Sequence, residues 1–186
     1  MEVYHYTSDF NWRAIWYDKK LGTEKPFLKG SAGWIFALLE PEPANWVNNP
    51  LFPDVWENLM KRIGRISFPG ETVYTDRLVV LSIETEINNP NVFVADRGLW
   101  EIHERGLSIE IAQGRKIGER AYYDSRINLN EYLKSDAKLG FLLPEVMIGE
   151  PIHLTQIRPH TYQPTLEKHI ESRNYNLLDQ KLKAKW

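Results

Sequence analysis

His5 sits between two tyrosines in Val3-Tyr4-His5-Tyr6, a string of strand-forming residues near the start of the chain. Two-residue periodicity sends the imidazole to one face of a sheet and both phenols to the other. There it is either a core group satisfied by a neighbouring carbonyl or a contact for a bound molecule. A second group lies in Leu99-Trp100-Glu101-Ile102-His103-Glu104-Arg105, where two carboxylates flank an imidazole and could form a general acid-base pair. Glu101 and Glu104 share a face if the segment is helical, and Glu101 and His103 share one if it is extended. The plainer reading is a charged surface turn with pairing three and four residues apart. A third carboxylate, Glu145, follows Pro144 at the head of a short apolar run, where an acid on a solvated strand edge is the plain alternative to a site residue.

Other chemistries are missing from the chain. His5, His103, His153, His160 and His169 show no HxxH or HxH spacing, so no metal site is expected. The absence of cysteine removes disulfides, thiolate zinc sites and a thiol nucleophile. No phosphate-binding glycine loop, GxGxxG, HExxH, EF-hand loop or GxSxG elbow occurs.

The elements that must hold these residues follow from periodicity and breakers. After the first strand, Thr7-Ser8-Asp9 can cap a helix to about Lys20, with Phe10, Ala14 and Tyr17 as one stripe and Trp12, Ile15 and Trp16 beside it. Lys19-Lys20 and Gly22 suit its end. Trp34 to Leu39 has strand length and is stopped by Glu40-Pro41-Glu42-Pro43. Prolines divide residues 44–62 into two short helices, the second starting at Asp54. Leu78 to Glu84 is the strongest strand and should be central. Residues 93–126 are irregular, with Leu107-Ser108-Ile109-Glu110-Ile111 as a strand-like piece. Asn128 caps a helix to about Leu139, Pro144 to Ile148 forms a strand, and a helix follows Pro164. Strands and helices intersperse without regular βαβ alternation, which predicts an α+β domain around a mixed sheet.

The chain has 186 residues, 42% of them apolar, which suits one domain with a real core. A net charge of −2 supplies no basic field for nucleic acid or an anionic membrane, so any polyanion contact must be local. No apolar stretch approaches the roughly 20 residues that span a bilayer, and a soluble, cytoplasmic protein is expected. Seven Trp, nine Tyr and seven Phe provide flat faces as well as core area.

Three segments occur in an order that resembles the ADP-ribosyltransferase-like superfamily, with closest similarity to its DNA- and toxin-type branches. Tyr4-His5-Tyr6-Thr7-Ser8, a helix and Leu21-Gly22 resemble the first motif. Gly33-Trp34-Ile35-Phe36-Ala37, followed by Pro41-Glu42-Pro43-Ala44, resembles the second. Pro144-Glu145-Val146-Met147-Ile148, followed by Gly149-Glu150-Pro151-Ile152, is similar to the third. The resemblance implies a split-sheet fold over residues 1–160 with a helical appendage at 161–186. It implies NAD as substrate, contacted by His5, Tyr6, Thr7, Trp34, Ile35 and Phe36, with Glu145 catalytic and ADP-ribose passed to a macromolecular acceptor or to water. Breaking the nicotinamide-ribose bond develops positive charge on the ribose, which a nearby carboxylate stabilises.

The chain departs from the pattern at two points. Ile35 stands where many relatives stack a tyrosine on nicotinamide, and a slip of one residue would offer Trp34 instead. The arginine that would hold the diphosphate is open among Arg13, Arg62, Arg65 and Arg97. Two alternatives accompany this reading: a protein similar to an RNA 2′-phosphotransferase, and a non-catalytic module that stacks nucleotide or nucleic-acid bases.

Overall fold

The computed structural model describes residues 1–23, 33–68, 71–74, 78–136 and 140–160. The C-terminal helix expected after Pro164 lies outside the described residues. The first strand, β1, spans Glu2–Ser8 and runs directly into α1, Asp9–Asp18. The Ser8 hydroxyl accepts from the Asn11 N–H at 3.1 Å and satisfies one of the free donors of the first turn. The helix stops at Lys19, whose φ of 58° is left-handed, so the chain turns there and not at Gly22. The expected stripe is also rearranged. Ile15 is buried, whereas Trp16 and Tyr17 are exposed, because this short helix packs on β1 and its own exit strand through a narrow face.

β2 is Lys20–Leu21 and β3 is Ile35–Ala37. Two short helices follow, α2 at Ala44–Val47 and α3 at Val55–Ile63. A hairpin of β4, Arg65–Phe68, with β5, Glu71–Tyr74, leads into β6, Leu78–Glu84. The irregular third resolves into β7 at Val92–Asp96, α4 at Gly98–Glu104, a 3₁₀ turn at Ile109–Ala112 and α5 at Glu119–Asp124. Leu107 to Ile111 is therefore not a strand; the Ser108 hydroxyl instead accepts from the Glu110 N–H and starts the 3₁₀ turn. β8, Ile127–Asn128, precedes α6, Leu129–Lys134, which the Asn128 side chain caps. The chain then passes through β9, Pro144–Ile148, β10, Ile152–His153, and β11, Ile157–His160.

Two sheets dominate, ordered β1-β6-β11 and β3-β9-β7-β8. Helices and strands are interspersed along the chain, as in an α+β class. The pairings are all antiparallel among the described residues, where a mixed sheet is expected from the sequence. Parallel pairing needs a crossover to the same end of the partner. Here the connecting segments return each strand from the opposite end. β6 is the middle strand of its sheet, as its apolar run predicts.

Val3, Ile35, Leu81, Ile83, Val94, Val146 and Ile148 belong to one core shared by both sheets. Tyr6, Val80, Trp46, Trp56 and Met60 form a second, where α2 and α3 cover the opposite face of β1 and β6. Trp34, Met147, Tyr122 and Tyr123 form a third beneath α5. Among the described residues no helix is long and apolar enough to cross a membrane.

Candidate functional site

Backbone hydrogen bonds join the two sheets beside the shared core. Tyr4 and Leu38 exchange backbone hydrogen bonds of 2.8 Å in an isolated bridge. One residue further along β1, a side chain replaces the ladder. His5 Nδ1 lies 2.7 Å from the Phe36 carbonyl oxygen. A carbonyl only accepts, so Nδ1 carries the proton and Nε2 keeps its lone pair. Burial lowers the imidazole pKa below its ordinary value, against the opposing pull of that carbonyl, which keeps the ring neutral.

A cavity of about 910 Å³ is lined by residues of both sheets. His5, Tyr6, Thr7, Ile35, Phe36 and Glu145 all line it. Of the residues singled out from the sequence, Trp34 does not. Its ring meets Phe93 edge-on at 5.8 Å and lies 5.0 Å beneath the Arg126 guanidinium, so a register slip brings no indole to the cavity. Ile35 is 2% exposed and is held mainly by the shared core. Phe36 is half-buried, and its register partner on β9 is Met147. Strand alternation therefore sends Phe36 to the sheet face that Glu145 also uses, two residues along β9.

Glu145 lies on an interior strand. β9 runs between β3 and β7, with Ala95 opposite Glu145, which corrects the solvated-edge alternative. The residue is 5% exposed, and Oε2 accepts a hydrogen bond from the Tyr122 hydroxyl. Among the described residues Oε1 has no hydrogen-bond partner, yet it is not shut away from solvent. The start of β9 is firmly tied. Trp46 Nε1 donates to the Pro144 carbonyl at 3.0 Å, and Oδ1 of the fully buried Asp96 accepts from the N–H groups of Gly98, Leu142 and Leu143.

Of the four arginines weighed from the sequence, Arg62 and Arg97 line the cavity. Arg62 is exposed at its rim. Arg97 is 8% exposed, its guanidinium 3.8 Å from the Trp100 ring centre and its Nε donating to Glu101 at 3.2 Å. Arg13 pairs with Asp9 at 3.9 Å, and the Arg65 side chain lies outside the described residues. The Glu101-His103-Glu104 group does not line the cavity. Glu101 bridges Arg97 and Arg105, one helical turn to either side, while His103 and Glu104 are exposed. This is the surface pairing of a helix. Glu150 accepts from Asn89 and Asn91 away from the cavity. Among the described residues no three His, Asp or Glu side chains converge as a metal site.

For Tyr122, which lies in the segment with no regular pattern, the adjacent Tyr122-Tyr123 pair is the signal the sequence offers, while Trp100 stands within the Leu99 to Arg105 group that is read for its acids and imidazole. Chemically, the site sets a neutral imidazole and a half-held carboxylate on the lining of one cavity, which is large enough for a dinucleotide-sized ligand. A carboxylate in such a place can stabilise positive charge that develops on a bound molecule. Compared with protein-family models, with curated proteins and with solved structures, the chain shows no match.

Proposed function

We propose that the chain is an ADP-ribosyltransferase-like enzyme that binds NAD in this cavity and cleaves the bond between nicotinamide and ribose. The observation that carries the reading is the meeting of His5 and Glu145, from opposite ends of the described chain and from different sheets, on one cavity at the sheet junction. The motif order noted in the sequence supplies the class of reaction. The bond from ribose C1′ to the nicotinamide nitrogen breaks, and its electron pair leaves with neutral nicotinamide. The oxocarbenium-like ribose is stabilised by the Glu145 carboxylate, and an acceptor oxygen or nitrogen, or water, then bonds to C1′ and gives up its proton to solvent. Phe36 supplies an aromatic edge near the ring-binding end in place of the missing tyrosine. Arg62 at the rim is suited to the diphosphate because the residue is exposed and a guanidinium presents a planar fork of donors that matches phosphate oxygens.

Nicotinamide release from NAD tests the proposal. Glu145→Gln keeps the side-chain shape and removes the charge, so turnover should fall by roughly 10²-fold, about 2.7 kcal/mol of transition-state stabilisation, with little change in NAD affinity. Wild-type protein that binds NAD but releases no nicotinamide, with or without added protein or nucleic-acid acceptors, would leave the stacking-module reading. The rings of Phe36, Trp100 and Tyr123 along the cavity are what favour that second reading.

A further inference from the structure

Among the described residues, the two buried carboxylates, Asp96 and Glu145, are treated differently by their surroundings. Asp96 is fully used: three backbone N–H groups reach Oδ1 and Arg115 Nη1 reaches Oδ2 at 2.7 Å. Such an acid is a structural tie. Glu145 has one oxygen held by Tyr122 and the other without a partner among the described residues, beside the cavity. A carboxylate bonded on one side only is costly to bury unless the free side meets a ligand or water.

We propose that Tyr122 is the positioning residue of Glu145, its hydroxyl holding Oε2 so that Oε1 is presented to the cavity. This rests on the reading of Glu145 given above. The terminal torsion of a glutamate is broad and nearly two-fold, so an unanchored carboxylate samples many orientations. A single strong donor on one oxygen removes most of that freedom before substrate arrives, which is the preorganisation that electrostatic catalysis needs.

Tyr122 is built to hold still. It is 0% exposed, with the Trp100 ring at 5.6 Å and the Tyr123 ring at 4.9 Å. Its N–H donates to Gly118 at 3.0 Å, and its carbonyl accepts from the Ser125 hydroxyl at 2.6 Å. Ser125 Oγ in turn accepts from the Asp96 N–H at 2.9 Å. The last turn of α5 is thus pinned to the end of β7, the strand that pairs with β9 at Glu145. Burial, reinforced by the adjacent Glu145 charge, pushes the phenol pKa well above its ordinary value, so the hydroxyl remains a donor throughout the working range. A tyrosine present only to fill the core would be equally well served by a carbonyl partner.

Tyr122→Phe keeps the ring and deletes the donor. The expected result is a roughly 10-fold or greater fall in kcat for nicotinamide release, from the loss of one hydrogen bond to a charged group, with KM for NAD within about twofold of wild type. In a Glu145→Gln background the same change should cost less than about twofold, because the charge it orients is gone. Ser125→Ala, which loosens the tyrosine without touching Glu145, should give a smaller fall in kcat with the same dependence on Glu145, and stands in if Tyr122→Phe does not fold. Unchanged kcat in both variants, a rise in KM alone, or equal losses with and without Glu145 would overturn the inference while leaving Glu145 catalytic. Wild-type protein without nicotinamide release would remove both claims.

Discussion

His5 bridges the two sheets through one nitrogen, and its other nitrogen keeps a lone pair only while the ring stays neutral. Nδ1–H joins the sheets through the Phe36 carbonyl, and the residue lines the cavity. Because burial lowers its folded pKa, the unfolded chain takes up a proton at a pH where the folded protein does not. Stability from this group is complete above the unfolded value of about 6.5 and falls as pH drops through it toward the lower folded value. The melting temperature should therefore decline from about pH 7.5 to 5.5, and His5→Asn, which retains an N–H donor but does not titrate, should flatten that slope. Thermal scans across the range check it, and equal slopes for both proteins would refute the lowered imidazole pKa.

At the scale of elements, the junction of β7, α4 and β9 decides where Glu145 sits. Asp96 ends β7, caps the turn into α4 through the Gly98 N–H and holds the approach to β9 through Leu142 and Leu143. Gly98 leaves no room for adjustment, since a Cβ there would lie 2.5 Å from Leu142 Cβ. Asp96→Ala would strand three N–H groups and the partly exposed Arg115. We expect a loss of about 3 kcal/mol, read as a lower urea midpoint at unchanged slope. A loss below about 1 kcal/mol would mean that the strand pairing alone positions β9.

At the scale of the molecule, the cavity is lined from both sheets, which the Tyr4–Leu38 bridge and the His5–Phe36 contact join. A ligand lying across both walls ties β1 to β9 and should stabilise the whole domain. NAD at about 100 times its dissociation constant should add roughly 2.7 kcal/mol, a rise of a few degrees in melting temperature. His5→Ala should reduce that rise by weakening one wall. No shift at millimolar NAD would refute NAD binding, and a shift with single-stranded RNA alone would favour the stacking module.

Local physical signals were enough for much of the framework. Ser8 and Asn128 cap helices where their side chains reach N–H groups two or three residues on, Pro50 and Pro53 separate α2 from α3, and the apolar run Leu78–Glu84 forms the central strand. His5, Phe36 and Glu145 could be singled out as residues, but not their meeting at one cavity. The interior place of β9, the exposure of Trp16 and Tyr17, the removal of Trp34 from the site and the Tyr122 hydroxyl on Glu145 were decided by the tertiary structure. Caps, breakers and hydrophobic periods act between near neighbours and leave a trace in a short window. Strand order and the pairing of buried polar groups depend on which distant segments share a core, and no local spacing records that choice.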